Sequence, residues 1–262
     1  MAWKQHFLLA SVLVLAGCTT APITGRQQLK LVPSQQLVAQ SAASYREVVA
    51  EGPLSIDEAR VREIRQVGGR IAAAVEQYLK DTNQLHLIDG FKWEFNLIDK
   101  DIPNAWCMPG GKVAFYSGIL PYCRDETGIA VVMGHEIAHA VAGHGAERIT
   151  NQVLQQGGGV LASWLSKDSE YREAIMVAYG FGSQVAGILP YSRVHESEAD
   201  RMGLVFMAMA GYNPEAAVEF WQRMASSNSG APPELLSTHP SDATRIRKLR
   251  ENMPEALQYY RP

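Results

Sequence analysis

The sequence predicts an α+β fold that is mostly helical, with a small β-sheet beside one buried helix. Apolar residues recur at helical spacing from Ile56 to Leu79, which indicates an amphipathic helix. From 91 to 97 the period changes to two, as in a β-strand with one buried face. The stretch from Val131 to Ala142 is apolar nearly all round, apart from two histidines and a glutamate, and is therefore expected to be a core helix.

Breaks and capping residues indicate the remaining elements. Ser34 has the character of a helix N-cap, and Gly52-Pro53 ends that helix. A second helix is expected from Ser55 to about Lys80, and a second short strand is expected over 112–117. A membrane hairpin is the alternative to a buried helix over 174–189. The further predicted helices run from 125 or 127 to 143–145, from 174 to 189, from 192 to 211, from 214 to 224 and, briefly, beyond 240.

The composition is that of a globular chain. It has 262 residues, of which 47% are apolar and 19% are charged, so it can bury a substantial core. We predict a single domain over 34–262. The net charge of −3 and the lack of a basic cluster in the sequence argue against nucleic acid as a partner. No feature of the sequence indicates an oligomeric state.

Residues 1–17 are predicted to be a signal peptide. Lys4 is their only charged side chain, and the apolar run from Phe7 to Ala16 is too short to span a membrane. The run leads into Leu15-Ala16-Gly17-Cys18, which resembles the bacterial lipoprotein box. Cys18 is therefore expected to be acylated and to become the first mature residue. An ordinary signal peptide, or a cysteine placed there by chance, is the alternative.

A lipidated Cys18 would anchor the chain to a membrane, because several acyl chains on one residue hold a protein firmly. Thr19 follows the cysteine, and by resemblance to lipoprotein sorting in Gram-negative bacteria this favours the outer membrane. We therefore expect a periplasmic, lipid-anchored protein. Residues 18–33 are predicted to be the lipidated N-terminus and an extended tether with little structure of its own, since Pro22, Gly25 and Pro33 interrupt it.

Cys107 and Cys123 remain once Cys18 is set aside. An even pair of cysteines in an oxidising compartment predicts a disulfide bond between them. Two separate buried thiols are the alternative, because a sequence does not give the Cα separation that a disulfide requires.

The sequence His135-Glu136-Ile137-Ala138-His139 has the layout of a zinc hydrolase. On a helix, His135 and His139 lie on one face and can direct two imidazoles at one metal ion. Glu136 lies beside them and can take a proton from a bound water. Solvated polar residues on a helix are the alternative, but the apolar flanks would make burial of three polar side chains costly without a metal. We predict one Zn²⁺ per chain.

A catalytic zinc needs a third protein ligand, and Glu196 is the predicted one. Asp200 is one helical turn further on, so it can accept a hydrogen bond from the outer nitrogen of a zinc-bound histidine. His195 is an alternative ligand. His144 is out of register for a third histidine of the metzincin kind, and is expected to end the helix or to support a ligand. Glu198 is expected to be a solvated or ion-paired carboxylate.

The HExxH motif with the later Glu196-Ser197-Glu198-Ala199-Asp200 resembles peptidase family M48, the group of HtpX, the CaaX prenyl protease and the mitochondrial OMA peptidase. The lipobox and Pro22-Ile23-Thr24-Gly25-Arg26 look most like its periplasmic lipoprotein members, of the BepA and LoiP type. The resemblance implies a zincin fold of the gluzincin kind and a zinc-dependent endopeptidase. Further matching stretches are Asn104-Ala105 before Pro109-Gly110-Gly111, Tyr191-Ser192-Arg193, and Thr238-His239-Pro240 before Arg245-Ile246.

The same resemblance implies substrates and further roles. His239 would donate to the oxyanion or would gate the metal, and an ordinary His-Pro turn is the alternative. The expected substrates are unfolded or misassembled envelope proteins, held in extended form by backbone pairing. A lipoprotein of outer-membrane assembly, with a structural zinc and little proteolysis, is the alternative. Strong transmembrane helices of the HtpX and CaaX types are lacking, so a prenylated peptide is not expected. The strand implied to pair with substrate comprises Lys112, Val113, Ala114, Phe115 and Tyr116.

Overall fold

A computed structural model describes residues 18–156, 192–226, 234–239 and 243–261. The predicted signal peptide over 1–17 and the predicted helix over 174–189 lie outside the described residues. The α+β prediction is confirmed, because helices surround two small sheets. The elements are β1 (Cys18–Thr20), β2 (Gln27–Leu29), α1 (Ser34–Glu51), α2 (Glu58–Asp81), β3 (Glu94–Ile98), β4 (Ala105–Met108), β5 (Lys112–Tyr116), α3 (Leu120–Cys123), α4 (Glu126–Ala142), α5 (His144–Gln156), α6 (Arg193–Met209), α7 (Ala216–Ala225), α8 (Glu234–Thr238) and α9 (Ala243–Tyr259).

The main sheet has three strands in the order β3-β5-β4. Strand β3 runs parallel to β5 with Asn96 opposite Ala114, and β4 runs antiparallel to β5 with Cys107 opposite Val113. Strand β4 has no counterpart among the predicted elements, because all four of its residues are buried and no alternation of polar and apolar residues marks it.

The order of the strands corrects one expectation. Strand β5 lies between two partners, so its backbone donors and acceptors are already used by β3 and β4. The predicted pairing of substrate with this strand is therefore wrong. In the described sheet the outer edge of β4 is the one next to the HExxH helix, because β4 packs against α4. The residues of β5, which therefore do not pair with substrate, are Lys112, Val113, Ala114, Phe115 and Tyr116.

Helix α4 carries the HExxH motif through the middle of the core. The Asp125 side chain caps it by accepting a hydrogen bond from the Gly128 amide at 2.9 Å, as one of the two predicted caps. Every residue from Gly128 to Ala142 is buried. Gly143 ends the helix with a φ of 73°, in the left-handed region that glycine adopts without strain.

Helices α4 and α6 cross closely because each has a glycine at the crossing point. A Cβ atom on Gly134 would lie 2.9 Å from the Gly203 carbonyl oxygen, and one on Gly203 would lie 3.0 Å from the His135 amide nitrogen. No larger residue fits at either position without moving the helices apart. The close approach places the first turns of α6 beside the two histidines of α4.

Residues 18–29 form a hairpin rather than the extended tether predicted for this segment. Strands β1 and β2 pair in antiparallel fashion, with Thr19 opposite Gln28. The Ala21 and Gln28 side chains are buried against the rest of the fold. Arg26 forms ion pairs with Glu147 and Glu198 on helices α5 and α6. The hairpin is thus packed onto the domain, and the domain extends further toward the N-terminus than predicted.

The two internal cysteines are separate thiols, so the predicted disulfide is wrong. Cys107 lies in strand β4 and Cys123 at the end of helix α3, and both are free and buried. Each is enclosed by apolar side chains of the main core. Burial raises the pKa of both thiols, which keeps them protonated and unreactive.

The C-terminal helix α9 spans 17 residues and is longer than the short helix predicted there. It packs against α6, and Arg201 ties the two together through a bidentate ion pair with Glu255. Among the described helices, none is long and apolar enough to cross a membrane.

Candidate active site

Two helices bring the predicted ligands together. Helix α4 contributes His135 and His139, and the first turn of α6 contributes Glu196. All three side chains are buried. The Nε2 atoms of the two histidines lie 3.1 Å apart, and the Glu196 carboxylate oxygens lie 3.5 Å from His135 Nε2 and 3.3 Å from His139 Nε2.

These three donors fit a divalent metal ion. A tetrahedral zinc with ligand bonds of about 2.0 Å separates its ligands by about 3.3 Å, and the three measured separations lie close to that value. Glu196 Oε2 is also buried and makes no hydrogen bond among the described residues, although the Arg245 guanidinium forms an ion pair with it at 3.2 Å. Two imidazole nitrogens and one carboxylate are a donor set found at catalytic zinc sites.

His239, directly after helix α8, provides a fourth donor near the cluster. Its Nδ1 atom lies 3.1 Å from His135 Nε2 and 2.9 Å from Glu196 Oε1. One donor atom from each of His135, His139, Glu196 and His239 lies within 4.8 Å of the others. His239 is therefore placed either to act as a fourth ligand or to face the reacting groups.

Glu136 lies beside the cluster with the surroundings of a general base. Its Oε1 atom is buried without a hydrogen-bond partner among the described residues and lies 3.6 Å from His239 Nε2. Burial raises the pKa of Glu136 to about 7, although the nearby His239 opposes part of that rise. A carboxyl group with a pKa near neutrality can both accept and return a proton.

The outer nitrogen of His135 meets a carboxylate directly. Asp200 Oδ1 lies 3.0 Å from His135 Nδ1, which is the position that the sequence predicted for this side chain. Arg245 holds Asp200 through hydrogen bonds of 2.8 and 2.7 Å and also lies 3.2 Å from Glu196 Oε2. The Arg245 guanidinium stacks on Trp221, with Cζ 3.3 Å from the ring centroid.

No local pattern in the sequence assigns a role to Arg245, which lies in the stretch that follows Thr238-His239-Pro240. An arginine near the start of a short predicted helix is expected to be exposed, and only the packing of α9 against α6 shows that Arg245 is buried. Burial alone would raise the pKa of its neighbour Glu196. The electrostatic effects of His239 and Arg245 outweigh burial, so this pKa lies well below the ordinary value.

The outer nitrogen of His139 meets a second imidazole. His144 Nδ1 lies 2.8 Å from His139 Nδ1, and His144 Nε2 lies 2.8 Å from Glu198 Oε2. Glu198 is ion-paired as expected but is buried rather than solvated, with Arg26 2.7 Å away. His144 begins helix α5 instead of ending α4. Burial lowers the pKa of His144 to about 4, so it is neutral at neutral pH.

The alternative ligand His195 lies outside the donor cluster. Its Nε2 atom is 3.0 Å from Glu147 Oε2, and its ring stacks on that of His144 with centroids 4.4 Å apart. It therefore packs behind the site, on the side of α6 that faces α5.

A buried HExxH helix joined by a glutamate from a second helix defines a metallopeptidase of the gluzincin kind. The model of Peptidase family M48 matches residues 59–253, so the chain belongs to this family. The match covers all the side chains of the donor cluster and Glu136.

Several curated proteins are similar to this chain. A mitochondrial metalloendopeptidase OMA1 of Schizosaccharomyces pombe is 39% identical over 184 residues, which are 70% of this chain and 53% of that protein. The human mitochondrial metalloendopeptidase OMA1 is 30% identical over 98% of this chain and 51% of its own length. A beta-barrel assembly-enhancing protease of Yersinia pestis is 28% identical over 92% of this chain and 52% of its own length.

These relatives qualify the expected grouping. The chain spans about half the length of the curated relatives it matches. The two mitochondrial proteins have higher identities than the bacterial one, so the comparisons support the family but not the narrower likeness to periplasmic lipoproteins of the BepA and LoiP type.

Proposed function

We propose that the chain is a zinc-dependent endopeptidase of the bacterial cell envelope that hydrolyses peptide bonds in unfolded or misassembled proteins. The observation that carries the proposal is the triangle of His135, His139 and Glu196 with Glu136 beside it. The names of the relatives, which are metalloendopeptidases and an assembly-enhancing protease, support the same reaction.

The chain's own groups have distinct tasks in this reaction. His135, His139 and Glu196 would hold Zn²⁺, which supplies an activated water and polarises the scissile carbonyl. Glu136 accepts the proton of the attacking water and returns it to the leaving amine, because its pKa of about 7 makes both forms accessible. His239 faces Glu136 through Nε2 and can donate to the carbonyl oxygen as negative charge develops on it.

We place the substrate along strand β4. Its outer edge is not paired within the described sheet and lies against α4, so an extended peptide added there would pass the metal ligands. All four β4 residues are buried, and the Leu235 amide of α8 donates to the Pro103 carbonyl just before the strand at 3.0 Å. The short segment of α8 and His239 thus contacts both the residues just before the strand and the donor cluster, and we expect it to move when substrate enters.

The decisive test is casein cleavage combined with a zinc titration. The wild type should cleave casein, lose activity with a chelator and regain it with Zn²⁺. Glu136→Gln should bind one zinc but lose at least about 100-fold in turnover, because the proton acceptor is gone. Glu196→Ala should fail to retain zinc. Full activity in Glu136→Gln, or tight zinc binding by Glu196→Ala, would remove that residue from its proposed role.

A second function is favoured by His239. With this residue the site has four protein donors, and closed four-ligand sites are typical of structural zinc. The chain would then be an assembly lipoprotein of the outer membrane with little proteolysis. The same experiment discriminates, because a structural site predicts that wild type and Glu136→Gln bind zinc and leave casein equally intact.

The envelope location rests on the N-terminal sequence. We propose that Cys18, which is exposed at the start of β1, carries the lipid anchor. The wild type expressed in a Gram-negative host should fractionate with the outer membrane, and Cys18→Ser should move to the soluble periplasmic fraction. Retention of Cys18→Ser in the membrane fraction would contradict lipidation.

A further inference from the structure

The Pro22-Ile23-Thr24-Gly25-Arg26 turn has no task in the proposed reaction. It joins β1 to β2, closed by hydrogen bonds from the Ala21 amide to the Arg26 carbonyl at 2.9 Å and from the Gly25 amide to the Ala21 carbonyl at 3.1 Å. Gly25 has a φ of 70°, which suits glycine in a tight turn. The turn presents two polar side chains, Thr24 and Arg26, to the same carboxylate of α6.

Glu198 is that carboxylate, and within the described part of the chain it has three side-chain hydrogen-bond partners, each from another element. Thr24 Oγ1 donates to Oε1, Arg26 Nε donates to Oε2 at 2.8 Å, and His144 Nε2 lies 2.8 Å from Oε2. Glu198 is 4% exposed, so its position is set by these contacts rather than by water. The turn is thereby connected to His139 by two further hydrogen bonds.

The proton positions along this path are determined by the proposed zinc site. If His139 holds the ion through Nε2, its ring proton would lie on Nδ1 and would be donated to His144 Nδ1, 2.8 Å away. His144 then carries its own proton on Nε2 and donates it to the Glu198 carboxylate. Every donor in the path has one acceptor, and the arrangement requires Glu198 to stay ionised and in place.

We propose that Arg26 is a positioning residue for the metal centre: it holds Glu198, which orients His144, which in turn fixes the ligand form of His139. The inference rests on the proposed zinc site. The N-terminal hairpin then contributes to metal binding, since its turn holds the residues that orient the ligand His139.

Arg26 also separates two like charges. Its Nη2 atom lies 2.7 Å from both Glu147 Oε2 and Glu198 Oε2, and these side chains are 13% and 3% exposed. Without the guanidinium, the two carboxylates would repel one another in a poorly hydrated space. Glu198 would leave its position opposite His144 for this reason, and the effect would reach His139.

The test compares Arg26→Gln with Arg201→Gln. The control removes another arginine–glutamate pair from helix α6, with Arg201 and Glu255 each 34% exposed, and Arg201 makes no hydrogen bond to a histidine in the described contacts. Zinc affinity is measured by competition with a chromogenic chelator, and folding by thermal unfolding of the metal-free protein. Arg26→Gln should bind Zn²⁺ roughly tenfold more weakly, the low end for loss of an outer partner of a ligand. Arg201→Gln should stay within about twofold of wild type, the scatter expected for a residue whose described hydrogen bonds are to Glu255 and not to the support of a metal ligand.

Activity provides a second readout. At limiting zinc, Arg26→Gln should lose kcat with KM unchanged, and excess Zn²⁺ should restore kcat. If Arg26→Gln lowers the melting temperature but binds zinc as tightly as wild type, the hairpin is only structural and the proposal fails.

A milder variant covers the case in which Arg26→Gln does not fold. Thr24→Val removes one donor to Glu198 and should weaken zinc binding by roughly threefold, the effect of a modest hydrogen bond. Unchanged zinc affinity in Thr24→Val would then overturn the proposal. Failure of the wild type itself to bind zinc would instead overturn the proposed function, so the two failures are distinguishable.

Discussion

The outer nitrogen of His135 contacts a carboxylate, Asp200, directly. The outer nitrogen of His139 contacts the imidazole of His144, which in turn contacts the carboxylate of Glu198. For this reason the pKa values of the two histidines are shifted in opposite directions. Burial alone lowers the pKa of His135, but its bonds to Asp200 and Glu196 raise it above the ordinary value. Burial lowers the pKa of His139 well below the ordinary value, and its bond to Glu196 does not compensate.

The two supports also come from different parts of the chain. Asp200 and Arg245 both lie within residues 59–253, which match the family model. Arg26 lies before them, in the N-terminal hairpin. The support of His135 is therefore complete within the matched domain, whereas the support of His139 is completed by an additional segment. Similar ligands on one helix can thus depend on different regions of a protein.

The largest difference between the two supports should appear in Asp200→Asn and Glu198→Gln. Asp200→Asn replaces the ionised acceptor of His135 with a neutral amide, whose NH2 group cannot accept from the buried Arg245, so zinc binding should weaken by about 100-fold. Glu198→Gln acts through one more residue and should weaken it by about tenfold. Chelator competition measures both.

The order of these two effects is the informative result. A larger loss in Glu198→Gln than in Asp200→Asn would mean that the indirect support of His139 governs zinc affinity, contrary to the comparison. Arg201→Gln is again the matched control, because Arg201 directly follows Asp200 along α6 but pairs with Glu255.

Sequence reasoning located the centre of the site because helical spacing is a local property. The spacing of His135 and His139, and of Glu196 and Asp200, places each pair on one face of a helix. The structure brings the three predicted ligands together, because Gly134 and Gly203 allow their helices to cross closely. The overall α+β class also followed from local periodicity.

The features that the sequence did not reveal depend on packing between distant segments. All four residues of strand β4 are buried and show no alternation, so the order of the sheet and its free edge could not be predicted. Arg26 and Arg245 approach the site from opposite ends of the chain. The motif at 22–26 was noticed in the sequence, but no local pattern connects it to a glutamate 172 residues away.

The smallest expected effect concerns acid stability of the hairpin contact. Burial alone would raise the pKa of Glu147 and Glu198, but hydrogen bonds outweigh it and lower both to about 2, from an ordinary 4.5. For Glu147 these bonds come from Arg26 and His195, and for Glu198 chiefly from His144 and Arg26. A lowered pKa stabilises the fold above about pH 4.5, and this stabilisation is lost as the pH falls toward 2.

Arg26→Gln should therefore be less stable than wild type at pH 6 and equal to it near pH 2. We expect a difference in unfolding free energy of about 1 to 2 kcal/mol at pH 6, between the values for exposed and buried ion pairs. Denaturant titrations of the metal-free proteins at several pH values measure it. A difference that stays constant down to pH 2 would mean that Arg26 stabilises the hairpin by packing rather than by charge. Its ion pairs would then not be what attaches the turn to Glu198, and the two histidine supports would differ less than the structure indicates.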